Sequence, residues 1–152
     1  MDIDTFLSPE LVVLGLAAAS KAALLRELAR RIAPAAGVAA PVIAAALVAR
    51  EQLGSTGLGR GFALPHARIA GVPRCTGLFA RLAAPVAFEA IDSAPVDLVF
   101  LLLTPGEASG GHLAALATIS RRMRDEAVAA GLRAATVPEE AYRLLAKARP
   151  SG

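Results

Sequence analysis

The sequence predicts a single α/β domain, in which a mixed β-sheet carries helices on both of its faces. Segments with short apolar runs alternate along the chain with segments whose apolar residues recur at helical spacing. Residues 96–103 are almost continuously apolar, which is typical of a central strand that is buried on both faces. The length of 152 residues fits one domain that spans residues 1–152.

The first third of the chain predicts one strand and two helices. Residues 11–14 are read as a short strand that ends at Gly15. Ser20 is expected to cap a helix that ends at Pro34, and Pro41 fits the first turn of a second helix. The expected apolar faces comprise Leu24, Leu25, Leu28 and Ile32 in the first helix, and Val42, Ile43, Ala46, Leu47 and Leu53 in the second.

Further strands are expected after this pair of helices. Residues 62–64 and 76–82 are strand candidates, and residues 85–91 are read as a short extended segment. Together with residues 96–103, these segments provide enough strands for a sheet that two layers of helices can cover.

The last third of the chain predicts helices. One should begin near Gly111, and its expected face comprises Leu113, Leu116, Ile119, Ser120 and Met123. Residues 125–134 continue this helix or form a separate short one. Thr136 and Glu139 have the spacing of a capping box, which predicts the start of the final helix.

Composition argues against several classes of function. Aromatic residues make up 4% of the chain and Trp is absent, so few side chains could stack on nucleic-acid bases. The net charge of +3 comes from dispersed arginines, and the densest group (Arg121, Arg122 and Arg124) is read as an exposed helix face. Cys75 is the one cysteine, which provides no disulfide framework. The acidic first residues and the short apolar run at 11–19 predict a cytoplasmic protein without membrane insertion.

The most informative segment is the glycine-rich stretch from Gly54, which caps the second helix, to His66. Its glycines let the backbone approach a ligand closely, and successive N–H groups in such turns can bind an anion. Ser55 and Thr56 add hydroxyls, and Arg50 adds a positive charge in the preceding helical turn. The stretch is not a P-loop, because it follows a helix and lacks the Lys-Ser/Thr ending.

The two histidines, His66 and His112, are the candidate reactive groups. Neither has a partner at metal-ligand spacing, so no metal is expected. A nucleophilic imidazole remains, and it requires one free nitrogen and donors for an incoming phosphoryl group. The glycine-loop amides, Arg50 and the helix start that carries His112 are available for that purpose. A structural role for either histidine stays open at this point.

Residues 50–66 resemble the signature of enzyme IIA domains of the fructose/mannitol type, from the phosphoenolpyruvate-dependent phosphotransferase system. Residues 90–100 and 112–116 also resemble this family, in the same order. The resemblance implies a mixed sheet flanked by helices, and it implies that His66 accepts a phosphoryl group on Nε2 from a histidine-phosphorylated carrier protein of the HPr or NPr type. It implies no cofactor.

The same resemblance suggests roles for further residues. His112 is similar in position to the second, unphosphorylated histidine that stabilises the phosphoryl group in this family. The phosphate-surrounding segment of the family matches Arg50, Ser55, Thr56 and Gly57. Arg60 departs from the family pattern, where a small polar residue is frequent, and its charge would strengthen phosphate binding or alter docking of the donor.

Within the family, residues 92–97 and the absence of an attached IIB or IIC domain resemble the nitrogen-regulatory branch. In that branch the phosphorylation state regulates partner proteins, such as transporters or kinases. A sugar-specific IIA domain that passes the phosphoryl group to a IIB cysteine is the alternative. A binding module that has lost transfer is a third reading, and the retention of both histidines and of the glycine loop argues against it.

Overall fold

Residues 2–106 and 110–146, which are the residues that the computed structural model describes, form one strand, two helices, five further strands and three final helices, in that order. The strands are β1 (Val12–Leu16), β2 (Gly57–Gly59), β3 (Phe62–Ala63), β4 (His66–Ile69), β5 (Thr76–Val86) and β6 (Val96–Pro105). The helices are α1 (Lys21–Ala36), α2 (Ala40–Gln52), α3 (Gly110–Arg124), α4 (Glu126–Ala134) and α5 (Pro138–Ala146). Short 3-10 turns precede β1 at Ile3–Thr5 and Pro9–Leu11.

All six strands form one mixed sheet, as predicted, in the order β1-β5-β6-β3-β2, and β4 also pairs with β6. The central strand β6 runs antiparallel to β5 and parallel to both β3 and β4. The predicted central position of residues 96–103 is therefore confirmed.

The sheet separates two hydrophobic cores, which confirms the prediction of helices on both faces. Along β6, Val99, Leu101 and Leu103 contribute to the core under α1 and α2. Phe100 and Leu102 alternate with them and contribute to the core under α3, α4 and α5. Alternation along a strand places successive side chains on opposite faces, so a continuously apolar strand requires cover on both sides.

Strands β3 and β4 are two parts of one extended segment that runs alongside β6. Phe62 pairs with Leu98 and His66 pairs with Leu102, so the register does not change between the two parts. Pro65 interrupts the ladder because it has no N–H, although its carbonyl still accepts a hydrogen bond from the N–H of Leu102 at 3.0 Å. Pro65 therefore interrupts the pairing with β6 without changing its register.

Several predicted boundaries in this sheet are wrong. β5 runs to Val86 instead of ending at residue 82, so it includes the start of the extended segment predicted at 85–91, and residues 87–91 form no strand. β1 does not stop at Gly15 but continues to Leu16, because Gly15 forms a bulge at φ +83° that glycine tolerates. The glycine-rich stretch contains the three-residue strand β2, and His66 begins β4. Such short strands are defined by partners that are distant in sequence, so the local pattern did not predict them.

The helix α1 also extends further than predicted. Ser20 caps it as expected, since its Oγ accepts from the N–H of Ala23 at 3.1 Å. Pro34, however, lies inside the helix, which ends at Ala36 with Gly37 in the left-handed conformation. The proline removes one hydrogen bond near the end of the helix, and the cap provided by Gly37 closes the last turn.

The predicted helix faces are partly wrong. Val42 is half exposed and Leu53 is 84% exposed, so the buried face of α2 narrows to Ile43 and Leu47. In α3 the buried residues are His112, Ala115, Ile119 and Met123. Leu113 lies outside this stripe and is 66% exposed, whereas the small Ala115 is fully buried.

The capping pattern before the final helix differs by one residue from the prediction. The carboxylate of Glu140, and not that of Glu139, accepts from the N–H of Thr136 at 2.7 Å and from its hydroxyl at 3.1 Å. The helix begins at Pro138, so Glu140 is the residue that reaches back over the first turn. Residues 126–134 form a separate helix, capped by Asp125.

We predict that Gly61→Ala destabilises the protein more than Gly15→Ala does. Both glycines have a φ near +80°, so both alanines incur a left-handed backbone cost of about 1 kcal/mol. A Cβ at Gly15 meets nothing within 4 Å, whereas at Gly61 it would lie 2.6 Å from Nη2 of Arg133 and 2.7 Å from Oδ1 of Asp97.

Disrupting this charge-assisted pair should add about 1–2 kcal/mol to the loss at Gly61, measured by urea unfolding. The added loss should shrink in an Arg133→Ala background, where the ion pair is already absent. Equal losses for the two glycine variants would contradict the prediction.

Candidate functional site

His66 is presented by the interruption between β3 and β4. Its Nδ1 lies 2.8 Å from the carbonyl oxygen of Leu64, two residues earlier. A carbonyl only accepts, so Nδ1 carries the hydrogen and Nε2 keeps its lone pair. The half-buried ring follows the alternation set by Phe62 and Leu64 and therefore lies on the α3 side of the sheet. The fold thus fixes which ring nitrogen is available to react.

The surroundings of His66 keep its imidazole neutral. Burial is the principal cause of a pKa that is lowered from 6.5, and the positive charge of Arg50 lowers it further. The carbonyl of Leu64 and the carboxylate of Glu51 act in the opposite direction and raise the pKa. The balance leaves the unprotonated Nε2 available near neutral pH, as a nucleophile requires.

Arg50 stands directly beside the free nitrogen of His66. Its Nε is 3.4 Å from Nε2 of His66, and its Nη1 donates to the carbonyl of Gly54 at 2.9 Å. Arg50 lies in the last turn of α2, where the helix runs into the glycine-rich loop. A permanent positive charge is therefore held next to Nε2, where an attached anion would be stabilised.

His112 approaches from the first turn of α3 and is the second member of the pair. Its ring centroid is 5.7 Å from that of His66, with the planes inclined at 59°. The side chain is buried, and its Nδ1 lies 2.7 Å from Oγ1 of the buried Thr104. Burial is the main cause that lowers the pKa of His112, and the charges of Arg68 and His66 lower it further.

Ser55, Thr56 and Gly57 lie in the loop that follows Arg50, but their polar groups are engaged within the protein. The hydroxyl of Ser55 donates to the carbonyl of Phe88 at 2.8 Å and accepts from the N–H of Gly57 at 3.0 Å. The N–H and the hydroxyl of Thr56 both donate to the carboxylate of Glu51. Contact of this segment with a phosphoryl group therefore stays a prediction.

Glu51 is the residue of this site that the sequence reasoning did not assign. Its carboxylate is only 6% exposed and forms an ion pair with Nζ of Lys21 at 2.9 Å. Lys21 also lies over the ring of Phe88, 4.5 Å from its centroid. The carboxylate thus ties the start of α1 to the loop at Thr56. The one local signal for a role of Glu51 was its position directly after Arg50. Its ion-pair partner Lys21 is distant in sequence and gave no such signal.

Two more residues near the histidines were missed, and Arg60 lies elsewhere. Thr104 and Arg68 face each other across β4 and β6, and each influences His112. Arg60 forms contacts with Asp92 and Glu126, and among the described residues no hydrogen bond joins it to either histidine. Residues 2–106 and 110–146 also contain no cluster of side chains that could hold a metal ion.

The mixed sheet and the paired histidines define a IIA domain of the phosphotransferase-system type. Residues 5–148 match the family model described as "Phosphoenolpyruvate-dependent sugar phosphotransferase system, EIIA 2", and the chain belongs to this family.

Within the family the chain is similar to proteins called nitrogen regulatory. It is 42% identical to the nitrogen regulatory protein of Bradyrhizobium diazoefficiens, over 96% of this chain and 95% of the relative. The crystal structure of nitrogen regulatory protein IIA-Ntr from Neisseria meningitidis superposes with a TM-score of 0.90 at 36% identity, over 94% of this chain and 98% of that one.

The fold extends to a more distant structure. IIA mannitol from Escherichia coli matches with a TM-score of 0.77 at 24% identity, over 91% of this chain and 98% of that one, which shows the fold alone. The family predicted from residues 50–66 and the nitrogen-regulatory resemblance predicted from residues 92–97 are both confirmed by these comparisons. In the part of the chain that the structure describes, no helix has the length and apolar character needed to cross a membrane.

We predict that the two imidazoles respond separately to loss of their neighbouring arginines. Arg50→Gln should raise the pKa of His66, because a positive charge that disfavours the imidazolium is removed. Arg68→Gln should raise the pKa of His112 for the same reason and serves as the matched control. Histidine-resolved NMR titration measures both. Because the charge of His66 also acts on His112, the larger change should fall on the ring beside the substituted arginine; an unchanged His66 in Arg50→Gln or an unchanged His112 in Arg68→Gln would contradict the assignment.

We also predict that acid destabilises the protein through this pair. Unfolded histidines titrate near 6.5, and both folded pKa values lie lower, so the unfolded state binds more protons in that window. The free energy of unfolding should therefore fall as the pH drops through 6.5 towards the folded pKa values. Urea unfolding as a function of pH measures this slope. The slope should be shallower in His66→Gln, and an unchanged slope would contradict the prediction.

Proposed function

We propose that the chain is a phosphocarrier in which Nε2 of His66 accepts a phosphoryl group from a phosphohistidine carrier protein of the HPr or NPr type. The observation that carries this proposal is the 2.8 Å contact between Nδ1 of His66 and the carbonyl of Leu64, which leaves the lone pair on Nε2. Membership in the EIIA family supports the same chemistry.

The transfer step balances without a metal or a separate base. The N–P bond of the donor phosphohistidine breaks while a bond from phosphorus to Nε2 of His66 forms. No proton must leave His66, because Nε2 carries none, and Nδ1 keeps its hydrogen. The ring gains positive charge in the product, and the carbonyl of Leu64 stabilises that charge through the existing hydrogen bond.

The remaining residues are proposed to stabilise the transferred group. Arg50 stands 3.4 Å from Nε2 and would face the phosphoryl oxygens as a fixed cation. If Thr104 donates its hydroxyl hydrogen to Nδ1 of His112, the other nitrogen of His112 carries a hydrogen that can be donated to the same oxygens. Phosphoryl transfer depends chiefly on such positioning and charge stabilisation.

The glycine-rich loop is proposed to complete the phosphate-binding surface. Ser55, Thr56 and Gly57 are fixed close to Arg50 by the buried carboxylate of Glu51 and by the carbonyl of Phe88. Because these bonds hold the loop before any ligand arrives, little ordering is required when the donor docks. The loop would then hold Arg50 in place, and the donors of Ser55, Thr56 and Gly57 would reach the phosphoryl oxygens by exchanging their internal bonds for bonds to the ligand.

The output of the transfer is proposed to be regulatory. Similarity to nitrogen regulatory proteins over 96% of the chain supports a role in which the phosphorylation state of His66 changes binding to partner proteins. Transporters and kinases are the partner classes expected from the family resemblance, and the cytoplasm is the compartment where such carriers would meet this domain.

Transport of a sugar is the alternative function, in which His66 passes the phosphoryl group to a IIB cysteine. It is favoured by 39% identity to a segment of the "PTS system 2-O-alpha-mannosyl-D-glycerate-specific EIIABC component" of Escherichia coli. That match covers 60% of this chain, whereas the nitrogen regulatory relative matches 96%. The regulatory function is therefore the better supported of the two.

We predict that His66→Ala abolishes phosphorylation by labelled phosphoenolpyruvate, enzyme I and the carrier protein. The reacting nitrogen is removed, whereas His112→Ala removes only a neighbouring donor and should slow transfer about 100-fold. Mass spectrometry at neutral pH should place one phosphoryl group on residue 66 of the wild type and of His112→Ala. Acid-labile label that persists in a folded His66→Ala protein would overturn the proposal.

We predict that the phosphorylated chain does not transfer its phosphoryl group to IIB domains of the fructose or mannitol type. The measurement incubates isolated phospho-protein with each IIB domain and follows the label on a gel, with a cognate sugar-specific IIA domain as the positive control. Rapid transfer to a IIB cysteine would replace the regulatory function with the transport alternative.

A further inference from the structure

A groove of about 920 Å³ lies between the turn that joins β2 to β3 and the helices α3 and α4. Its lining includes neither histidine, nor Arg50, nor any of the loop residues 54–57. The volume is within the range of about 300–1,000 Å³ that is typical of small-molecule sites. This groove has no part in the proposed phosphoryl transfer.

The floor of the groove is apolar. Phe62 and Leu98 reach it from paired positions on β3 and β6, and Met123 reaches it from the last turn of α3. On α4 the larger Val128 and Leu132 are buried in the core, while the wall of the groove is formed by the small Ala129. Phe62, Leu98 and Met123 are themselves at most 6% exposed, so the apolar surface that a ligand can cover is that of the half-exposed Leu58 and of Ala129 and Ala130.

The rim of the groove is cationic, and its three arginines differ in how firmly they are engaged. Arg133 is committed to the protein, because it donates two hydrogen bonds to Asp97 at 2.8 Å and one to the carbonyl of Arg60 at 2.9 Å. The guanidinium of Arg60 pairs only with the exposed Glu126, at 3.2 Å. Such an exposed ion pair is worth little and is readily exchanged for another anion.

Arg124 completes the rim from the last residue of α3. Across residues 2–106 and 110–146, no hydrogen bond or ion pair occupies its side chain. Among the described residues of the lining, Glu126 is the one acidic residue, opposite Arg60, Arg124 and Arg133. The rim therefore carries excess positive charge next to a hydrophobic floor.

We propose that this groove binds an organic anion that has an apolar body and a carboxylate, sulfonate or phosphate head. The head replaces Glu126 on Arg60 and also binds Arg124, with charge-assisted hydrogen bonds from both. The apolar body covers the half-exposed Leu58 and the small side chains of Ala129 and Ala130. This binding goes beyond the proposed phosphocarrier function and does not require a phosphorylated or reactive His66.

The test titrates the unphosphorylated full chain with decanoate, below its micelle concentration, and follows backbone amide NMR signals. Signals of residues 58–62 and 123–133 should shift in a saturable way. Acetate has the head without the body, and decyltrimethylammonium has the body with the opposite charge, so neither should saturate these signals.

Variants locate the binding within the groove. Arg124→Gln should weaken decanoate binding about tenfold, which corresponds to the loss of one charge-assisted hydrogen bond. Arg121→Gln removes a charge from an exposed residue of the same helix that does not line the groove, and it should change the affinity less than twofold. Ala129→Leu places a good helix former on the wall and should abolish binding by filling the space.

Absence of saturable shifts in the wild type would overturn the proposal. So would decanoate binding that Arg124→Gln and Ala129→Leu leave unchanged, or equal binding of decyltrimethylammonium. His66→Ala should bind decanoate as the wild type does, so the outcome is independent of whether His66 accepts a phosphoryl group.

Discussion

The parallel pairing of β6 with β3 and β4 is the constraint on which the site depends. β6 is buried between two helical layers. Its register with β3 and β4 fixes which face of the sheet each residue from 62 to 69 occupies. The interruption at Pro65 lets the carbonyl of Leu64 bond the ring of His66 without shifting that register. Strand β6 also carries Thr104, which holds His112 beside His66. A backbone ladder thus determines the geometry and the tautomer of a reactive side chain.

A second, polar interaction fixes the loop against this frame. The carboxylate of Glu51 is buried, so removing its charge partner would leave an unpaired charge in the interior and destabilise the fold. Lys21 and the two donors of Thr56 satisfy this carboxylate. Because Glu51 follows Arg50 in the same helical turn, the bonds that hold the loop also fix the turn that carries Arg50. The cation beside Nε2 is therefore positioned by neighbours that never contact the histidine.

The sequence predicted the parts of the fold and site that local pattern determines. The central strand followed from continuous apolarity and the cap at Ser20 from its residue type. The role of His66, expected from the glycine-rich stretch before it, stays a prediction. The paired partners of Glu51 and His112 were not predictable, because Lys21 and Thr104 reach them only through tertiary packing. The burial of Leu113 was predicted wrongly, because apolar periodicity alone did not separate its side of α3 from the side on which the small Ala115 is fully buried.

The unbroken register of the segment from Phe62 to Ile69 limits how this protein can vary. Side chains alternate along a strand, so one extra or missing residue between Ala63 and His66 would turn the imidazole towards the face covered by α1 and α2. Replacements at Leu64 keep the peptide carbonyl that every amino acid supplies, but the buried side chain must stay apolar. This stretch should therefore accept other apolar residues among descendants while its length stays fixed.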